Sequence, residues 1–166
     1  GGNLAWQTVQ FTSKRYAPVP VSLAAKFTLW RDGFSLEQGM LSAAHSHLDA
    51  QAELHNFANP LWNFRYRGWV QLADFRETLR DSDIPTGRVD FRGEGQYTGS
   101  QFHGNGSYVG EAIALPYELF HARGLNSRGS YRIDNAGLEV PDFLASAFDG
   151  RVTGRVTVRF DGMKFR

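Results

Sequence analysis

Apolar and polar residues alternate along this chain in one stretch after another. From Arg151 to Phe160, Val152, Val156, Val158 and Phe160 fall on one side, and Arg151, Thr153, Arg155, Thr157 and Arg159 on the other. Successive side chains of a pleated strand point to opposite faces, so this reads as a strand with one wet side. The same spacing recurs at Val21, Leu23, Ala25, Phe27 and Leu29, at Leu48, Ala50, Ala52 and Leu54, at Trp62, Phe64, Tyr66 and Val70, and at Val89, Phe91 and Tyr97. Shorter runs surround Phe102 to Tyr108 and Tyr131 to Ile133. Turn-forming groups at Arg31-Asp32-Gly33, Asn59-Pro60, Pro85-Thr86-Gly87, Asn135-Ala136-Gly137 and Asp149-Gly150 separate them. Strands punctuated every 10 to 15 residues or so predict an antiparallel meander.

One segment has helical spacing. From Leu72 to Asp81, Phe75 and Leu79 stand four apart among Arg76, Glu77 and Arg80, with Asp74 as the expected N-cap. So short a helix needs support, which predicts that it plugs one end of the sheet or crosses between two groups of strands. The piece from Glu111 to Leu125 carries Pro116 and is expected to be extended.

Sliding the chain by 104 residues lays 27–54 on 131–158 without a gap. Phe27 meets Tyr131, Leu36 meets Val140, Leu48 meets Val152, Ala52 meets Val156 and Leu54 meets Val158. Only Gly33, Ser42 and Ala43 are identical across these 28 pairs. What repeats is the pattern of strand, turn, strand, turn, strand, which predicts one sheet element used twice.

Composition sharpens this picture. Glycine at 18 residues, phenylalanine at 13 and aromatics at 14% favour sheet with glycine-relieved curvature over helix. Apolar residues at 42% and charged residues at 21% exclude a disordered chain. With 18 basic against 17 acidic residues there is no field to hold a phosphate backbone, so nucleic acid is not an expected partner. Arginine outnumbers lysine 15 to 3, and its planar fork suits a polar sheet face laced with carboxylates. Absence of cysteine removes disulfides, thiol nucleophiles and cysteine-held zinc.

The chemical motifs are poor. Gly93 to Gly99 and Gly104 to Gly110 each miss dinucleotide-loop spacing by one residue, and neither precedes a helix. His45, His47 and His55 lie close in sequence without a legible metal-ligand set. No serine-nucleophile, Ser-x-x-Lys or zinc-protease motif is present. The expectation is a protein that is no enzyme, with no cofactor and no metal. What remains is the apolar face, which must be covered by the sheet itself, by another sheet or by lipid.

The succession Phe34-Ser-Leu36, Gly39-Met-Leu-Ser42, Leu48-Asp-Ala-Gln-Ala-Glu-Leu54, Trp62-Asn-Phe-Arg-Tyr66, Ala73-Asp-Phe75 and Gly87-Arg-Val-Asp-Phe-Arg-Gly93 resembles the AsmA-like and TamB family of bacterial envelope proteins. The stretch from Leu138 to Val140 and on through Ala145 to Gly154 is similar to that family's recurrent strand, glycine, strand unit. The resemblance spans most of the chain, from about residue 20 onward, and implies an all-β fold, a long, mainly antiparallel sheet curled into a taco-like groove with an apolar interior. It implies a periplasmic location in a Gram-negative envelope, a parent anchored in the inner membrane, and a role in moving phospholipid or in outer-membrane protein assembly. It also implies partners: phospholipid or another acyl-chain ligand, the outer-membrane assembly machinery, and the membrane through other parts of the parent. The residues it implies as groove lining are Val21, Leu23, Phe27, Leu48, Ala50, Ala52, Leu54, Trp62, Phe64, Tyr66, Val89, Phe91, Val152, Val156 and Val158. A full member carries a membrane anchor and greater length, so the chain is expected to be a single groove segment, 1–166, of a larger protein. Glycines 68, 93, 95, 104, 106 and 154 either leave room for acyl chains or permit curvature.

Two other readings use the same alternation. A carbohydrate- or protein-binding β-sandwich would cluster Trp30, Trp69 and Trp6 on its surface. A piece of an outer-membrane barrel would place aromatics at strand ends, whereas Phe64, Tyr66 and Phe91 lie mid-strand.

Overall fold

The computed structural model describes residues 1–11, 19–117, 120–147 and 150–160. Ten strands follow one another: β1 (Gly2–Phe11), β2 (Val19–Trp30), β3 (Gly33–Ala43), β4 (Ser46–His55), β5 (Leu61–Gln71), β6 (Thr86–Tyr97), β7 (Phe102–Tyr117), β8 (Phe120–Asp134), β9 (Gly137–Ala147) and β10 (Gly150–Arg159). One helix, α1 (Leu72–Leu79), lies between β5 and β6. Each strand pairs antiparallel with its neighbour in sequence, in a single sheet of order β1 to β10. The sheet does not close: β1 and β10 are its two edges. The region from Glu111 to Leu125 is extended as expected, with residues 118 and 119 outside the described set.

No second layer covers this sheet among the described residues. Strands pack substantially only on their sequence neighbours, and α1 only on β5 and β6. The accessible surface is 12183 Å². A compact monomer of this mass exposes roughly 8,200 Å², so about half as much again is open to solvent. Leu54 and Val140 are the only described hydrophobic residues that are buried, and no described side chain is fully so. A two-sheet sandwich is therefore not the architecture of these residues.

The helix begins differently from the sequence reading. Gln71 occupies the N-cap position without a side-chain capping bond, and Asp74 sits inside the first turn. Asp74 is drawn away because it ties α1 to the β3–β4 turn, as described below. At the other end Arg80 takes a left-handed conformation and its amide returns to the Arg76 carbonyl, closing the last turn.

The 104-residue offset has a structural counterpart that reaches further than the sequence pattern. Nine pairs join β9 to β10, among them Val158 with Leu138, Val156 with Val140 and Gly154 with Phe143. Shifted by 104 they become Leu54 with Phe34, Ala52 with Leu36 and Ala50 with Gly39, and all nine are pairs of β3 with β4, bulge included. The pairs of β8 with β9 likewise reproduce those of β2 with β3. Those of β7 with β8, from Gly106 opposite Tyr131 to Ile113 opposite Leu125, reproduce those of β1 with β2, from Gly2 opposite Phe27 to Val9 opposite Val21. The bulge falls at the same place again. A one-residue slip would turn every side chain to the wrong face, so shared register means shared facing.

Candidate functional site

Register carries the apolar face across the sheet in rows. One row runs Leu29, Phe34, Leu54, Trp62, Tyr97, Phe102. The next runs Phe27, Leu36, Ala52, Phe64, Gly95, Gly104, Ile133, Leu138, Val158. A third passes through Ala50, Tyr66, Gly93, Gly106 and Tyr131, and a fourth through Leu23, Leu41, Leu48, Gly68, Phe91 and Tyr108. Val21, Val89 and Val152 belong to the outermost row. All fifteen residues that the resemblance implied as lining thus share one face, with Val152, Val156 and Val158 of β10 joined to the rest through β7 to β9.

Several further members of this face escaped the sequence reading. Phe34 and Leu36 alternate properly, but a bulge between Leu36 and Gly39 shifts the phase, so Leu41 falls on the same face out of step. The bulge between Val140 and Phe143 does the same in β9. An alternation filter breaks at both places. A search for two half-strands offset by one residue would have found them.

The face is smoothed by rings lying over glycines. Phe64 leans across Gly95, where a Cβ would stand 2.5 Å from its Cζ, and reaches Phe102 on the far side with ring centroids 5.7 Å apart. Tyr66 from β5 and Tyr131 from β8 lie toward each other over Gly93 and Gly106. Tyr131 donates to the Tyr66 hydroxyl at 2.8 Å, with the Arg92 carbonyl oxygen 3.3 Å away. That contact spans three inter-strand steps, about 14 Å on a flat sheet, as a sheet curling toward its apolar side allows. Burial, and then the bond to Tyr66, pushes the Tyr131 phenol above its ordinary range. The glycines therefore do not leave open space for a ligand along the middle of the face. Gly95, Gly93 and Gly106 are roofed by aromatics, and Gly68 is backed by the His47 carbonyl. Gly154 differs: nothing stands within 4 Å of where its side chain would be.

The opposite face is polar and laced with exposed ion pairs. Lys26 pairs with Glu37 at 2.6 Å, Arg67 with Asp49 at 3.2 Å, and Arg88 with Asp90 at 2.6 Å. Arg88 also lies over the Trp69 ring, 4.9 Å from its centroid. Such exposed pairs, solvated and screened by salt, contribute little to stability. Open depressions of about 800, 780 and 850 Å³ lie on this side, walled by charges of both signs such as Glu53, Arg65 and Glu94. They are valleys between long side chains and offer an acyl chain no dry surface. Trp30 and Trp69 are on this face too, beside His55 and His47 at opposite ends of β4, and so form no stacking platform for a sugar. The Trp6 side chain lies outside the described residues.

His47 stands between the Ser42 hydroxyl at 2.9 Å and Asp49 at 3.1 Å, and His55 lies 3.5 Å from Glu53. His45 belongs to the latch on α1. Its amide donates to Asp74 at 3.0 Å, its ring Nδ1 lies 3.0 Å from the other Asp74 oxygen, and the Ser46 hydroxyl donates to Asp74 at 2.7 Å. Among the described residues no three His, Asp or Glu side chains gather as a metal site. Burial opposes the Asp74 charge, yet bonds from His45 and Ser46 outweigh it and hold the carboxyl below its ordinary 3.8. The same bond raises His45 above 6.5. A lowered carboxylate contributes stability above its unfolded pKa and loses it as pH falls. A raised imidazole contributes below its unfolded pKa and loses it as pH climbs through the folded value. The latch is therefore tightest between 3.8 and 6.5. Asp74→Ala is expected to cost about 1–3 kcal/mol and to speed hydrogen exchange in α1 and the β3–β4 turn at pH 5.5, roughly the middle of that window. Unchanged exchange in both would show that the latch holds nothing.

Among the described residues no helix is long and apolar enough to cross a membrane. The fold defines a class: a single open antiparallel sheet, one face apolar and one charged, with one short helix at its end. Comparison with protein-family models, curated proteins and solved structures finds no match.

Proposed function

We propose that the apolar face binds the acyl chains of phospholipid and that the chain is a groove segment of an AsmA-like or TamB-type envelope protein, working between inner and outer membrane. One observation carries the reading: a ten-stranded apolar face lies open among the described residues, with Leu29 60% and Val152 63% exposed. Soluble monomers rarely leave a contiguous apolar patch larger than a few hundred Å² without a partner. An acyl chain suits this face because it is long, flexible and unselective about side-chain identity, and each methylene removed from water contributes about 0.8 kcal/mol. With its central glycines roofed by rings, the face offers a track along which chains lie, and no closed pocket. Passive conduction of that kind asks for no nucleotide and no catalytic group.

Trp62 stands on this face and Trp30 and Trp69 on the other, which gives the reading an optical test. In a Trp6→Phe background, phospholipid brominated on its acyl chains is expected to quench part of the tryptophan emission, and Trp62→Phe to remove that part. Quenching that survives Trp62→Phe and disappears in Trp69→Phe would place the lipid on the polar face and end the proposal.

A further inference from the structure

The repeated register assigns a partner to the free edge of β10. Strand β10 is the counterpart of β4 at the 104-residue offset, pair for pair with its inner neighbour. In the first unit the other edge of β4 is occupied by β5, which sets Trp62 opposite Leu54, Phe64 opposite Ala52 and Tyr66 opposite Ala50. In the second unit the corresponding edge, beside Val158, Val156 and Gly154, is unpaired among the described residues. Every residue of β10 is exposed, including Val152, Val156 and Val158. An unpaired edge of this length with alternate valines is a template for strand addition.

We infer that the outer edge of β10 is a β-augmentation site for an antiparallel polypeptide strand with the alternation of β5, bulky aromatics on the apolar side and polar residues between. The register follows from the offset: the residue equivalent to Trp62 faces Val158, that of Phe64 faces Val156, and that of Tyr66 faces Gly154. The open space over Gly154 is the second observation. At Gly2, Gly95 and Gly106 an aromatic ring from an adjacent strand occupies that space, from Phe27, Phe64 and Tyr131. Over Gly154, on the same face, no such ring stands among the described residues. The bare polar edge and the empty place over a glycine call for a strand, which a lipid cannot supply, so the inference stands apart from acyl-chain binding.

The probe is a synthetic peptide with the sequence of residues 61–71, added to lipid-stripped protein. Hydrogen exchange is expected to slow at alternate amides of β10 and nowhere on the polar face. Gly154→Val should leave the protein folded, since its side chain meets open space, and weaken the peptide about tenfold or more by filling the place of the incoming ring. A peptide with serine at the positions of Trp62, Phe64 and Tyr66 should not protect β10. Absence of protection, protection indifferent to Gly154→Val or to the serine peptide, or a β10 already protected by self-association of the chain would each overturn the assignment.

Discussion

Gly106→Val is expected to destabilise the sheet by about 2–3 kcal/mol, the upper range for overpacking. A side chain there would collide with the Arg92 carbonyl and with the Tyr131 ring that lies over the glycine. Neither can step aside cheaply: the first is sheet backbone, and the second is fixed by its hydrogen bond to Tyr66. Gly154→Val makes the control, since a Cβ at that position on the same face has nothing within 4 Å and the change replaces glycine with a strand former. Urea denaturation read by circular dichroism should show a lower midpoint for the first variant and an unchanged or higher one for the second. Equal midpoints would mean that the rings over the glycines contribute nothing to the sheet.

Glutamate at Leu29 and Leu41 together is expected to abolish acyl-chain binding while the protein stays folded. Both residues are on the apolar face, in different rows, and both are already exposed, Leu29 at 60% and Leu41 at 36%, so a charge at either costs the folded sheet little. A carboxylate beneath an acyl chain, in contrast, must be stripped of water, at a cost far above the gain from a few methylenes. Phe64 is the less informative place for such a charge. It packs on Tyr66 and Phe102, and loss of lipid there could not be separated from loss of structure. Lipid retained at wild-type level by the folded double variant, checked by extraction and circular dichroism, would remove the apolar face from the proposal.

The strands without bulges were legible from alternation alone. β2, β4, β5, β6 and β10 each keep a two-residue period from end to end, and every residue of theirs that the resemblance implied as lining lies on the common face. β3 and β9 were legible only in part, because the bulges after Leu36 and Val140 change phase in mid-strand. Asp74 was read as a cap because cap preference is local, whereas its partners His45 and Ser46 lie 29 and 28 residues back on a turn that only the folded sheet brings near. The roofing of glycines is equally non-local: Phe64 and Gly95 are neighbours across a strand pair, and nothing in either segment alone announces it. The 104-residue offset shows the reverse. Three identities in 28 positions are weak evidence of a repeat, but register depends on where side chains face and where the bulges fall, and those are kept from β1 to β4 and again from β7 to β10.

Native mass spectrometry of the protein purified from a Gram-negative host, followed by extraction and identification of whatever co-purifies, tests acyl-chain binding most directly. The expected result is a set of adducts with phospholipid masses, present on the wild type and missing from the folded Leu29, Leu41 double variant. A lipid-free, folded monomer that also takes up no phospholipid from added vesicles would contradict it.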